Sequence, residues 1–204
     1  MTRVLLATRN AKKLTELQRI LDQALGARRV ELVGLADVEQ YQEVPETGLT
    51  FGENALLKAR EGVKWTNLPT IADDSGLAVD ALNGMPGVFS ARWSGRHGDD
   101  RANLELVLAQ ISDVPDEYRG GAFVCAAALV LPGGKEHLVD GRQAGRLLRA
   151  PRGEGGFGYD PIFLADGQDR TNAELSPAEK DAISHRGKAL RALAKVMART
   201  LNVN

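Results

Sequence analysis

The sequence predicts an α/β chain: a two-lobed mixed fold with a long central sheet flanked by helices and a cleft between the lobes. Three observations predict it. Short apolar runs alternate with segments of helical period. One run, Ala122 to Leu131, is almost continuously apolar, as a strand covered on both faces should be. Two long glycine-containing loops, over 83–98 and 151–161, interrupt the pattern, but no linker separates two independent cores. Residues 1–204 therefore read as one domain with two lobes.

The elements follow in order. Val4-Leu5-Leu6-Ala7 reads as a buried strand. A helix follows, capped by Asn10, striped by Leu14, Leu17, Leu21 and Leu25, and ended by Gly26. Val30 to Val33 alternates like a second strand, and 34–49 reads as a loop. Thr50-Phe51-Gly52-Glu53 is a capping-box pattern. Behind it Phe51, Ala55, Ala59 and Val63 share one helical face, and Asn54, Lys58 and Glu61 another. Thr70-Ile71-Ala72 reads as a strand that breaks at Asp73-Asp74-Ser75-Gly76, with a new strand over Leu77 to Leu82. Asp99 is placed to cap a helix carrying Leu104, Val107, Leu108 and Ile111. Pro132-Gly133-Gly134 marks a turn after the central strand, with strand-like segments over 136–140 and 143–149. Ile162-Phe163-Leu164 is a short strand. Ser176-Pro177-Ala178-Glu179 is a second capping box, and Arg186 to Leu201 a final helix.

Composition narrows the function classes. The chain has 26 Lys plus Arg against 27 Asp plus Glu, a net charge of -1. That argues against broad electrostatic attraction to nucleic acid or acidic membranes. No apolar stretch approaches the length of a membrane helix, and the first residues lack a signal-peptide layout. Cys125 is the only cysteine, which excludes an intrachain disulfide and a multi-cysteine metal site. A cytoplasmic protein is expected. Only His97, His137 and His185 are available, so a histidine-rich zinc site is not expected. The unusual count is glycine, 22 of 204, against about 7% in average proteins.

Four segments carry candidate chemistry. Thr8-Arg9-Asn10-Ala11-Lys12-Lys13 lies between a strand and a helix. There the free N–H groups, the dipole and Lys13 would form an anion pocket suited to phosphate; its plain alternative is a surface turn with a capping asparagine. Asp73-Asp74-Ser75-Gly76 offers paired carboxylates, as Mg²⁺ ligands or with one as a general base, or else is a solvated turn. Glu43 and Glu46 lie in the preceding loop and add further carboxylates. Gly153 to Pro161 offers Phe157 and Tyr159 as flat faces for a base and Asp160 as an acceptor, or its aromatics dock into the core. Lys180 to Arg186 offers donors at a helix start, or is an ordinary charged face. Lys58 completes the basic set.

Together these motifs closely resemble the inosine triphosphate pyrophosphatase family, over essentially the whole chain. The markers are Thr8-x-Asn10-x-x-Lys13, Glu46-Thr47-Gly48-Leu49-Thr50-Phe51, Glu53-Asn54-Ala55 with Lys58-Ala59, and Ala72-Asp73-Asp74-Ser75-Gly76-Leu77. Further on come Pro86-Gly87-x-x-Ser90-Ala91-Arg92, Gly155-Gly156-Phe157-Gly158-Tyr159-Asp160-Pro161 and Ala182-Ile183-Ser184-His185-Arg186. Each is weak alone; their order is specific. The resemblance implies a Mg²⁺-dependent homodimeric hydrolase. It would convert non-standard purine nucleoside triphosphates (ITP, dITP, XTP) to the monophosphate and pyrophosphate, cleansing the nucleotide pool.

Carried over to matching positions, Thr8, Asn10 and Lys13 would bind phosphates with help from Lys58, Arg9, Ala11 and Lys12 would belong to the same substrate-binding segment, and Ser75 would contact substrate. Glu46 and Asp74 would hold the metal. Asp74 would also accept a proton, with Asp73 close by. Phe157, Gly158, Tyr159, Asp160, Lys180, His185 and Arg186 would form the base pocket. Gly76, Gly153, Gly155, Gly156 and Gly158 are then expected where backbone approaches the nucleotide. Two departures stand out: Arg9, where many relatives have glycine, and Val44-Pro45 before Glu46, where some have a second acidic residue. The alternative is a non-catalytic purine-nucleotide-binding or sensor module, which would not need Glu46, Asp73 and Asp74.

Overall fold

The structure, a computed structural model, describes residues 2–9, 11–26, 29–39 and 44–201. It is mixed α/β, with a six-stranded sheet in the order β2-β1-β3-β4-β5-β6. The strands are β1 (Thr2–Leu6), β2 (Val30–Val33), β3 (Thr70–Val79), β4 (Gly120–Val130), β5 (Glu136–Leu147) and β6 (Phe163–Ala165). The helices are α1 (Ala11–Leu25), α2 (Phe51–Thr66), α3 (Asp100–Gln110), α4 (Pro177–Ile183) and α5 (His185–Thr200). β1 pairs in parallel with β2 and with β3, and β5 runs antiparallel to β6. The apolar run read as central is β4, inside the sheet. Among the described residues no helix is long and apolar enough to cross a membrane.

Three expected boundaries are corrected. β3 does not break at Asp73-Asp74-Ser75-Gly76; it runs through all four residues to Val79. Locally these are turn residues, but each polar side chain in the stretch has a tertiary partner, so extended backbone wins. Gly76 is required by close packing. A Cβ there would run into Ser90 Oγ and the Gly87 carbonyl. Ser90 Oγ accepts from the Leu77 N–H at 2.9 Å and donates to that carbonyl at 2.7 Å. Gly76→Ala is expected to cost about 1–3 kcal/mol, the usual range for forced overpacking. Urea unfolding reads it, and an unchanged midpoint would contradict the packing account. The second correction is β5, one strand over the two segments expected at 136–140 and 143–149.

The strand expected to reach Leu82 ends at Val79, where Asp80–Leu82 turns into a 3-10 helix, but the expected helix ends hold. α2 begins with Thr50 accepting from the Glu53 N–H at 3.2 Å, while Glu53 accepts from the Thr50 N–H at 3.1 Å. Asp99 caps α3 by accepting from the Ala102 N–H. Gly26, at φ +89°, follows α1. The proposed cap Asn10 lies outside the described residues.

Ser176 and Glu179 form the second box at α4. Hydrogen bonds from Arg170 and then Ser176 hold the Glu179 carboxyl down to about 2. A depressed carboxyl stabilises the fold above its ordinary pKa, and the contribution is lost as pH falls through the folded value. The parent should therefore exceed Glu179→Gln in stability at pH 7, with the gap closing between pH 4.5 and 2. Denaturation at several pH values reads this; a pH-independent gap would contradict it.

The chain divides into two compact units, each assembled from separated segments. One comprises Met1–Asp74, Ala126–Asp140 and Lys188–Asn204; the other Ser75–Cys125 and Gly141–Gly187. In the first, α2 packs through small residues. Ala55 and Ala59 are fully buried in a cluster with Ala72, Ala126, Ala128 and Val130. A Cβ at Gly62 would meet Thr70 Cγ2 at 2.6 Å, so the helix lies close on its strands. In the second, Leu77, Val107, Ile111, Phe123, Tyr159, Ile162 and Phe163 build the core. Each such buried side chain contributes roughly 1.5–3 kcal/mol before entropy is counted.

Candidate active site

The first unit gathers carboxylates and ammonium groups at β3. Successive strand residues turn to opposite faces, and the two aspartates go to different partners. Asp73, nearly buried, accepts from Lys13 Nζ of α1 on both oxygens, at 3.0 and 2.8 Å. Asp74 accepts at Oδ2 from Asn54 Nδ2 of α2, at 3.0 Å. Its Oδ1 lies 3.8 Å from Lys58 Nζ, which donates to Glu46 Oε1 at 2.7 Å. One ammonium thus draws Glu46 and Asp74 around a single cationic position. Burial lowers the Lys58 pKa, but Asp74, the Glu46 hydrogen bond and Asp73 together outweigh it and raise it above the ordinary value. Asp73 thus holds Lys13, and its charge also acts on Lys58.

Within this cluster, Asn54 is the residue that the sequence-based site leaves out. It is fully buried. Its Oδ1 accepts from the Gly48 N–H at 2.8 Å. A backbone N–H only donates, so the amide orientation is settled and Nδ2 is left for Asp74. Asn54 ties the Glu46 loop to the Asp74 strand. Its signal was its place four residues before Lys58 on a polar helical face. Glu61, on that same face, instead accepts from Trp65 Nε1 and Lys64 Nζ.

The second unit holds a cavity of about 110 Å³. Ser75, Phe157, Gly158, Tyr159, Asp160, Lys180 and His185 line it; Arg186, also expected in the base pocket, is not among the lining residues. Phe157 is 59% exposed. Lys180 Nζ and the Arg186 guanidinium lie 4.6 and 5.8 Å from its ring centroid. Arg186 also donates to Ser75 Oγ at 3.3 Å. His185 stacks on Phe123, with centroids 5.0 Å apart.

Two of these residues are more constrained than expected. Tyr159 is a core residue, 4% exposed. Its hydroxyl donates to the Ser90 carbonyl at 2.8 Å, and burial, then Asp100, pushes its pKa well up. Asp160 is not an open acceptor. Its Oδ2 takes the Phe157 N–H at 2.8 Å and Lys180 Nζ, and its Oδ1 takes Asn172 Nδ2 at 3.3 Å. Asn172 in turn exchanges hydrogen bonds with Gln143 of β5. Asp160 organises the loop and aims Lys180. Asn172, Gln143 and Asp100 were missed because their partners lie 12, 29 and 58 residues away along the chain.

The loop glycines also have a reason other than nucleotide approach. A Cβ at Gly153 or Gly155 would strike the Ala173 backbone at 2.7 Å, and at Gly156 the Asp160 side chain. Within the phosphate segment, Thr8 and Arg9 lie between β1 and α1, and Lys13 is in α1. Asn10 is outside the described residues, as are the side chains of Ala11 and Lys12.

An α/β sheet with a carboxylate–ammonium cluster and an aromatic-walled cavity fits an enzyme handling an anionic nucleotide, and comparison with known proteins agrees. The profile of the Ham1 family matches residues 4–196. The chain belongs to the Ham1 family. It is 65% identical to the dITP/XTP pyrophosphatase of Nocardia farcinica, covering 97% of this chain and 96% of that one. The crystal structure of the nucleoside-triphosphatase / dITP/XTP pyrophosphatase of Mycobacterium abscessus is similar at TM-score 0.81 and 64% identity, covering 94% of this chain and 98% of that one. A HAM1 protein structure from Coxiella burnetii gives TM-score 0.90 at 40% identity, covering 98% and 100%.

Proposed function

We infer that this chain is a nucleoside-triphosphate pyrophosphatase that hydrolyses non-standard purine nucleoside triphosphates, dITP, ITP and XTP, to the monophosphate and pyrophosphate. The supporting observation is the grouping of Glu46 and Asp74 around Lys58, with Asn54 bonded to Asp74, in a chain 65% identical to a dITP/XTP pyrophosphatase. A sensor module would not need buried asparagine hydrogen bonds to hold a carboxylate in place.

The donor set fits a small hard dication. Mg²⁺ typically takes one or two carboxylates and completes its shell with water and substrate phosphate. Glu46 and Asp74 would hold it. Once bound, the ion would neutralise phosphate charge and favour hydroxide over water.

Lys13 and Lys58, with Thr8 and the start of α1, take the phosphate chain. Asp74 accepts the proton of the attacking water. The water oxygen bonds to the α-phosphorus, the α–β bridging bond breaks, and its electron pair leaves with pyrophosphate. The base stacks on Phe157, and Lys180, aimed by Asp160, donates to the 6-oxo group. Adenine presents an amino group there and would leave that donor unpaired, which disfavours it.

A substrate panel tests this reading. With Mg²⁺, dITP and XTP should release pyrophosphate without orthophosphate, and dATP should be turned over at least about 100-fold less efficiently. Equal turnover of dATP and dITP would overturn the base assignment, and orthophosphate alone the reaction assignment.

A further inference from the structure

Most polar groups around the second-unit cavity are already engaged. Tyr159 Oη donates to Ser90, Asp160 accepts on both oxygens, and Asp100 Oδ2 accepts from the Gly158 N–H at 2.8 Å. Asn103 differs. It lies one turn beyond Asp100 in α3, lines the cavity and is 1% exposed. Its Oδ1 accepts from the Ser94 N–H at 2.7 Å. That donor cannot accept, so the amide is oriented and the NH₂ group is the remaining end. Nδ2 is buried with no hydrogen-bond partner. A buried donor left unmade costs stability unless a bound group accepts from it.

We propose that Asn103 Nδ2 donates to the substituent at C2 of a bound purine and so ranks the 6-oxo purines. This rests on the purine-triphosphate reading above. Lys180 comes from α4, on the Phe157 side, and serves the 6-oxo group. Asn103 comes from α3, a separate wall, and a planar purine carries its second exocyclic position at C2, beyond N1 on the same edge as C6. Xanthine has a carbonyl at C2, which accepts. Hypoxanthine has only hydrogen there. Guanine has an amino group, and two donors then face each other with neither satisfied. One buried amide would favour XTP, tolerate ITP and reject GTP.

ITP is the internal reference, because it makes every contact except this one. The test measures kcat/KM for XTP, ITP and GTP in the parent, Asn103→Leu and Asn103→Asp. Asn103→Leu should lower the XTP/ITP ratio about tenfold, the scale of one lost hydrogen bond. Asn103→Asp places an acceptor where the donor was and should raise the GTP/ITP ratio. If the ratios stay fixed while all three substrates fall together, Asn103 only supports the fold or holds a water, and the proposal is overturned. Should the variants not fold, the parent alone decides. Xanthosine monophosphate should then bind more tightly than inosine monophosphate, and guanosine monophosphate least; equal affinities overturn the proposal. A parent that hydrolyses none of the three triphosphates would instead refute the underlying function.

Discussion

Asp74→Asn is expected to lower kcat on dITP by about 10²–10⁴-fold, the usual contribution of a positioned general base. The substitution removes the charge and the proton acceptor but keeps the shape. The new amide oxygen can still accept from Asn54 Nδ2, which now donates to Asp74 at 3.0 Å. Thermal unfolding should therefore change little while turnover collapses. That split separates a chemical role from a structural one. Asp73→Asn should behave differently, because Asp73 holds Lys13 on both oxygens and is nearly buried. Activity of Asp74→Asn within tenfold of the parent would remove Asp74 from the chemistry.

Lys180→Met is expected to act on both base recognition and stability. Its ammonium meets Asp160 Oδ2 in a nearly buried ion pair and lies over the Phe157 ring. Breaking a buried pair from one side typically costs 3–5 kcal/mol. Here about 2 kcal/mol is expected, because Asp160 keeps its bonds from Asn172 and the Phe157 N–H and the lysine is partly open to screening. The kcat/KM for dITP should fall about 100-fold, with most of the loss in KM, since the contact is to the base and not to the reacting phosphorus. An unchanged KM would exclude Lys180 from the pocket.

Sequence legibility followed the range of the interactions. The capping boxes at Thr50 and Ser176 were readable because cap and partner are three residues apart. The apolar run of β4 was readable because burial on both faces leaves no polar position. β3 was misread at Asp73-Asp74-Ser75-Gly76, since the side chains that hold it extended come from Lys13, Asn54 and Arg186, 20 to 111 residues away. The candidate site residues carried by motifs, Glu46, Lys58, Asp74, Phe157 and Lys180, are legible in sequence as residue types at fixed positions. Their organisers are not. Asn54, Asn103 and Asn172 are ordinary residues in sequence, and only the fold shows each buried amide bridging separate segments. The glycine excess was legible as a count, but Gly76, Gly153 and Gly155 are needed against Ser90 and Ala173 of the protein itself.

The most direct measurement of the central claim is hydrolysis of dITP in ¹⁸O-labelled water, with both products analysed by mass. Attack at the α-phosphorus predicts one labelled oxygen in the monophosphate and none in pyrophosphate. Label in pyrophosphate, or release of orthophosphate in its place, would contradict the account.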